Sequence, residues 1–154
     1  MAQGQYDPLG LLCAFTIRFK VLMRSMMEEA SGKVVVWDEP VPTGTNKEFQ
    51  QVVSHLAELL AITFPRAVKP KEAVVGKPMM MIFGDGSTTA SCALAYLRWQ
   101  MADGLVQCLL LARKTKVAPK CKISIPRMEL MGALLAVRLV RKILDSLRIE
   151  IESV

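Results

Sequence analysis

The chain has a single histidine, His55, and four cysteines, Cys13, Cys92, Cys108 and Cys121, none of them in CxxC spacing. That supply is too thin for a zinc site, and scattered thiols without a secretion signal fit a reducing compartment. His55 falls in a helical stretch and reads as a surface or boundary residue. No apolar run is long enough to span a bilayer, and the opening Met1-Ala2-Gln3-Gly4-Gln5 lacks signal-peptide character. A membrane partner is therefore not expected. Internal repeats are absent, and Met79-Met80-Met81 is the one low-complexity run.

What is present is apolar and basic. With 154 residues and 52% apolar content, the chain can bury the core of one domain, or of a small domain plus part of another. The net charge of +6 is unevenly spread. Residues 1–62 carry five Lys/Arg against seven Asp/Glu, whereas residues 113–127 hold Arg113, Lys114, Lys116, Lys120, Lys122 and Arg127 with no acid. Such a stretch suits a phosphate backbone, because each neutralised phosphate releases condensed counterions. It equally suits a solvated loop that protects a strand edge.

Periodicity divides the chain. Tyr6-Asp7-Pro8-Leu9-Gly10 predicts a turn, followed by a helix over roughly residues 11–29 with Leu12, Phe15, Phe19, Leu22, Met23 and Met26 at helical spacing. Residues 37–44, rich in proline, predict an extended linker. Thr45 or Asn46 caps a second helix to about Leu60. Residues 63–78 read as a connector between a helical segment, 1–62, and a second domain, 79–154. The run 79–83 predicts a central strand covered on both faces. Residues 92–100 and 105–116 predict a hairpin turning at Asp103-Gly104. Pro126 then opens a long helix to about Leu147. Residues 148–154 look like the start of another strand, parallel to the 79–83 strand after the helical crossover.

Two acids stand out. Asp85 comes where the first strand runs out, and Glu129 near the start of the long helix. At 100° per residue, Ala133, Ala136, Val140, Ile143 and Leu147 lie within about 40° of Glu129, which predicts Glu129 on the core-facing stripe. Leu130, Met131, Leu134 and Leu135 fall off that stripe and need other cover. Each acid has a plainer reading: Asp-Gly-Ser is common turn chemistry, and a first-turn glutamate favours the helix macrodipole. Together they are more specific. A strand end and a helix start bring two carboxylates close, and carboxylates that close repel unless a cation lies between them. Hard oxygen ligands partly open to water suit Mg²⁺.

Tyr6-Asp7-Pro8-Leu9-Gly10-Leu11-Leu12, Trp37-Asp38-Glu39-Pro40, Phe64-Pro65-Arg66, Phe83-Gly84-Asp85-Gly86-Ser87, Lys114-Thr115-Lys116-Val117-Ala118-Pro119 and Ile123-Ser124-Ile125-Pro126-Arg127-Met128-Glu129-Leu130 occur in that order. This series resembles the segment after the reverse transcriptase core in Pao/BEL-type retrotransposon polyproteins, a region also labelled a Pao retrotransposon peptidase family. The resemblance implies a helical polymerase thumb or connection tail over 1–62. It implies an α/β fold after it: an incomplete ribonuclease H-like mixed sheet with one long packed helix. Asp85 and Glu129 then fall at the first and second acids of a ribonuclease H site that hydrolyses the RNA strand of RNA–DNA hybrids. Two Mg²⁺ ions about 4 Å apart would serve that reaction. Lys114, Lys116 and Arg127 become candidates for phosphate contacts. Gly86 departs from the alanine usual after the first acid, as do Cys121 and Lys122 from the usual residues at their positions. The motif carrying the third acid is absent from the sequence, so the expectation is an inactive fragment.

Three functional readings follow. The first is a segment of a retroelement Pol polyprotein, acting with the remainder of that polyprotein, in the cytoplasm within virus-like particles or in the nucleus. The second is a non-catalytic remnant that binds nucleic acid or a partner. The third is a retroelement aspartic peptidase, although Asp85-Gly86-Ser87 has its small residues in the wrong order and gives the Glu129 helix no role. An incomplete sheet further predicts self-association through an unpaired edge.

Overall fold

The computed structural model describes residues 7–29, 43–59, 61–65 and 67–154. They fall into two compact units, Ala14–Phe64 and a sheet unit made of Asp7–Cys13 with Pro65–Val154. The first contains most of helix α1 (Cys13–Glu29), α2 (Thr43–Ser54) and the short α3 (Leu56–Leu59). Its core is Phe19, Leu22 and Val52, with Phe15, Phe49 and Val53 packed around them. Phe19 meets Phe15 and Phe49 edge-on, at centroid distances of 5.5 and 5.9 Å, the arrangement that aromatic quadrupoles prefer. The expected second helix is broken at His55, which is exposed and holds its Nδ1 2.6 Å from the Gln51 carbonyl. Of the expected linker over 37–44, Thr43 and Gly44 instead open α2, and the rest lies outside the described residues.

The sheet unit is α/β. Strands β1 (Val74–Gly86), β2 (Ala90–Met101) and β3 (Val106–Val117) form an antiparallel sheet in the order β1-β2-β3, and α4 (Ile125–Ser146) packs across β1 and β2. The strands run longer than their apolar cores, and β1 begins inside the expected connector. The Asp103-Gly104 turn forms as its residues predict. Gly104 takes a φ of +87°, and the Asp103 carboxylate accepts from the Leu105 amide at 2.9 Å. In the chain's last residues the Met80 amide donates to the Ser153 carbonyl, and the Glu152 amide donates to the Pro78 carbonyl. Met79 and Ser153 thereby make an isolated parallel bridge, so the chain returns beside β1 after α4 as expected, while the three-stranded sheet itself is antiparallel and not mixed.

Alternation along β2 decides where the core sits. Ser91, Ala93, Ala95, Leu97, Trp99 and Met101 are buried, and their neighbours in sequence are not. They face α4 together with Met80, Leu109, Leu111, Ala112, Leu135, Ala136, Leu139 and Ile143. A bulge at Ala95/Tyr96 leaves Leu111 as the extra residue between Leu110 and Ala112; the bulge lets consecutive residues of β3 both be buried. The Trp99 indole donates to the Val68 carbonyl at 2.9 Å, which satisfies its one polar atom and ties Val68 to the sheet. β1 is not covered on both faces as its apolar run predicts: Phe83 is 53% exposed and Met79 38%. Helix α4 covers only one face of the sheet, and among the described residues β1 is an edge strand beyond Met80. A surface ion pair, Lys77 to Glu150 at 2.6 Å, adds little there because both ends are solvated.

Candidate metal centre and basic face

Asp85 lies inside β1, one residue short of its end, and pairs across the sheet with Cys92, which pairs with Thr115. Its side chain is exposed, and Oδ1 accepts from the Gly86 amide at 2.8 Å. The side-chain-to-amide bond expected of Asp85 in a turn is therefore present, while the turn itself is closed two residues later. Ser87 closes the β1–β2 turn, its amide donating to the Ala90 carbonyl at 2.8 Å and its Oγ accepting from the Thr89 and Ala90 amides.

The core-facing stripe of α4 is Met128, Gly132, Leu135, Ala136, Leu139 and Ile143. This corrects the expectation for Glu129, which is exposed, as is Ala133. The buried stripe is centred about 70° round the helix from Glu129, placing that residue on its flank. Leu135, expected to lie off the stripe, is buried, while Leu130 stays 69% exposed. The shift has a steric cause. The centre of the stripe at the N-terminal end is occupied by a glycine, which apolar periodicity does not register.

That glycine belongs to a backbone-to-backbone seat. A Cβ on Gly132 would lie 2.5 Å from the Asp85 carbonyl oxygen. One on Gly84 would lie 2.8 Å from the Gly132 oxygen, and one on Gly86 would overlap the Met128 carbonyl and sit 2.8 Å from the Glu129 amide nitrogen. Residues 84–86 of β1 therefore touch residues 128–132 of α4 main chain to main chain. Asp85 lies between two of the strand positions that touch, and Glu129 lies within the helical turn that meets them. The fold thus packs the main chain of Asp85 against Gly132 and Gly86 against the Glu129 amide, while the Asp85 side chain leaves the strand on the face away from α4. Sequence reasoning missed the three glycines that do this. The signal for them was Gly132 itself, since a glycine inside a helix costs about 1 kcal/mol against alanine and calls for a packing reason.

Both carboxylates are solvent-accessible oxygen donors, which fits Mg²⁺ in donor chemistry. They are two ligands only: among the described residues, no group of three or more His, Cys, Asp or Glu gathers where it could hold a metal.

The basic candidates are distributed differently. Lys114 pairs with Ala93, opposite Gly84, and Lys116 pairs with Ser91, opposite Gly86. Because side chains alternate across a strand, both lysines share the sheet face that seats α4, and Asp85 belongs to the other face. Lys114, Lys116 and Arg127, in the first turn of α4, are all exposed, as are Lys120 and Lys122 in the connection before it. The structure lines up Lys114 and Lys116 with the glycine seat and does not put them on the face of Asp85.

On that other face, burial pushes the Cys13 thiol above its ordinary pKa, against the opposing pull of the Arg113 guanidinium. All four cysteines are free. Among the described residues no helix is long and apolar enough to cross a membrane.

No curated protein and no solved structure matches the chain. A family model does: that of the Pao retrotransposon-like RNaseH-like domain, over residues 1–154. The chain belongs to this family and is a segment of a Pao/BEL-type retrotransposon polyprotein.

Proposed function

We propose that this chain supplies the first two carboxylates, Asp85 and Glu129, of a Mg²⁺-dependent centre that hydrolyses the RNA strand of RNA–DNA hybrids. The contact of residues 84–86 with residues 128–132 carries this reading, because it joins the two acid-bearing backbones at one end of the sheet. A divalent cation bound there supplies an activated water and stabilises the leaving oxygen. Asp85 and Glu129 hold that cation through carboxylate oxygens. Lys114, Lys116 and Arg127 position the nucleic acid by phosphate contacts, without reading bases. With no group of three acids gathered among the described residues, the 154-residue chain binds hybrid and does not cleave it appreciably by itself. It acts with the rest of the polyprotein inside the cell, where free thiols persist. The outer edge of β1 beyond Met80 is where copies associate. A peptidase reading has less support, because Asp85 is held in a strand ladder opposite Cys92 and not on a loop.

The test is incubation of the purified chain with a labelled RNA–DNA hybrid, with Mg²⁺ and with EDTA. Binding that falls steeply with salt, without Mg²⁺-dependent cleavage, is expected. Robust cleavage abolished by Asp85→Asn would overturn the inactivity. Salt-independent or undetectable binding would remove the nucleic-acid role.

A further inference from the structure

We infer that Cys13 and Cys92 form a thiol pair that oxidises to a disulfide, fastening the turn at the start of the chain to the central strand of the sheet. The inference stands apart from the reading of Asp85 and Glu129 as metal ligands. Cys13 is buried, yet it belongs to neither apolar core. Its place is set by the turn before it. Gly10 lies against the Arg113 main chain, the Leu9 carbonyl accepts from the Arg113 amide at 2.7 Å, and the Cys13 amide donates to the Gly10 carbonyl at 3.0 Å. The Leu11 carbonyl accepts from the Arg113 guanidinium at 3.4 Å. Residues 9–13 therefore wrap over Arg113. Thr115 follows Arg113 on the same sheet face, and its cross-strand partner is the half-buried Cys92. Arg113, Thr115, Asp7 and Cys92 are the polar groups that the Cys13 thiol faces. The other two cysteines do not compete for it. Cys108 pairs with Arg98 toward the opposite end of β3, and Cys121 is exposed in the connection before α4.

The step is thiol–disulfide exchange with a low-molecular-weight disulfide such as oxidised glutathione. The Cys92 thiolate, the more accessible of the two, attacks one sulfur of that disulfide and releases one small thiol. The Cys13 thiolate then attacks the Cys92 sulfur, and the second small thiol leaves. Two electrons pass from the protein sulfurs to the small disulfide, and the two thiol protons end on the released thiols. In a reducing compartment the pair rests as thiols, and the bond forms when the surrounding thiol pool becomes oxidised. Because it closes a long loop, the bond restricts the unfolded chain far more than the folded one. Cys13 is the last residue of the sheet unit before the chain passes into the helical unit, so the bond secures the point of exit.

The experiment incubates the 154-residue chain with oxidised glutathione, quenches with acid and maps the linked peptides by mass spectrometry. A variant carrying Cys108→Ser and Cys121→Ser is treated alongside. A Cys13–Cys92 link is expected in both proteins. In the variant, free thiol should fall to near zero and the melting temperature should rise by about 5–15 °C, a change that dithiothreitol reverses. Glutathione left on Cys92 with Cys13 still free overturns the proposal, because the two sulfurs are then out of reach of each other. A link that forms only in urea, where any two thiols can meet, overturns it as well. Should the variant fail to fold, the wild-type map decides: Cys13 joined to Cys108 or Cys121 in place of Cys92 refutes the pairing.

Discussion

The amide of Arg113 in β3 donates to the carbonyl of Leu9 at 2.7 Å, joining the start of the chain to the outer edge of the sheet. The strand edge is thereby paired by a turn, and Asp7 holds that turn by accepting from the Leu11 and Leu12 amides, each at 2.8 Å. Gly10 makes the approach possible: its φ is +70°, and a Cβ there would overlap the Arg113 carbonyl.

Gly10→Ala should therefore lose more stability than Gly76→Ala. Gly76 has the same left-handed φ, +71°, with open space around it, so its cost is the conformational one, about 1–2 kcal/mol. Gly10 adds a steric clash and should cost a further amount of about 1–3 kcal/mol. Urea unfolding of the two variants checks the order; equal losses would mean the Leu9 turn is not seated on β3.

Leu97 is fully buried on β2 beneath α4. Leu97→Ala should destabilise by about 2–5 kcal/mol, combining the transfer free energy of the removed atoms with a cavity. Leu130→Ala, on the exposed side of α4, should change stability by less than about 0.5 kcal/mol. A large loss at Leu130 would show that this side of the helix is covered in solution.

The Cys13 thiol is raised by burial. The folded state then keeps its proton at a pH where the unfolded chain has released it, so stability is intact below the ordinary thiol pKa and declines as pH rises through and above it. Alkylation at a pH of about 8 should modify the exposed Cys108 and Cys121 first and Cys13 last. Early labelling of Cys13, mapped by mass spectrometry, would contradict its burial.

Replacing Lys114 and Lys116 together by alanine should reduce the slope of log affinity against log salt for hybrid binding by about 1.8, or about 0.9 for each phosphate no longer neutralised. An unchanged slope would leave these lysines the simpler role of keeping a strand edge solvated.

Much of this fold was legible because it is local. The Asp103-Gly104 turn, the proline opening α4 and the return of the chain beside β1 follow from turn chemistry, fixed proline φ and crossover geometry. The orientation of α4 was not legible. Apolar periodicity centred its buried face near Glu129, whereas the packed face centres between Met128 and Gly132. A hydrophobicity pattern weighs side chains, and the tightest part of this interface has none.

By itself, then, the sequence determined the type and order of the elements, the family, and which acids and lysines are available for chemistry. Those properties depend on dihedral preference, residue spacing and composition, which neighbouring residues settle among themselves. Only the tertiary structure decided that the strand and helix carrying Asp85 and Glu129 pack through glycine main chain, that Glu129 sits on a flank of its helix, and that Lys114 and Lys116 lie on the sheet face opposite Asp85. Rotation of a helix on a sheet is fixed by steric contact between segments distant in the chain, and no local preference encodes it.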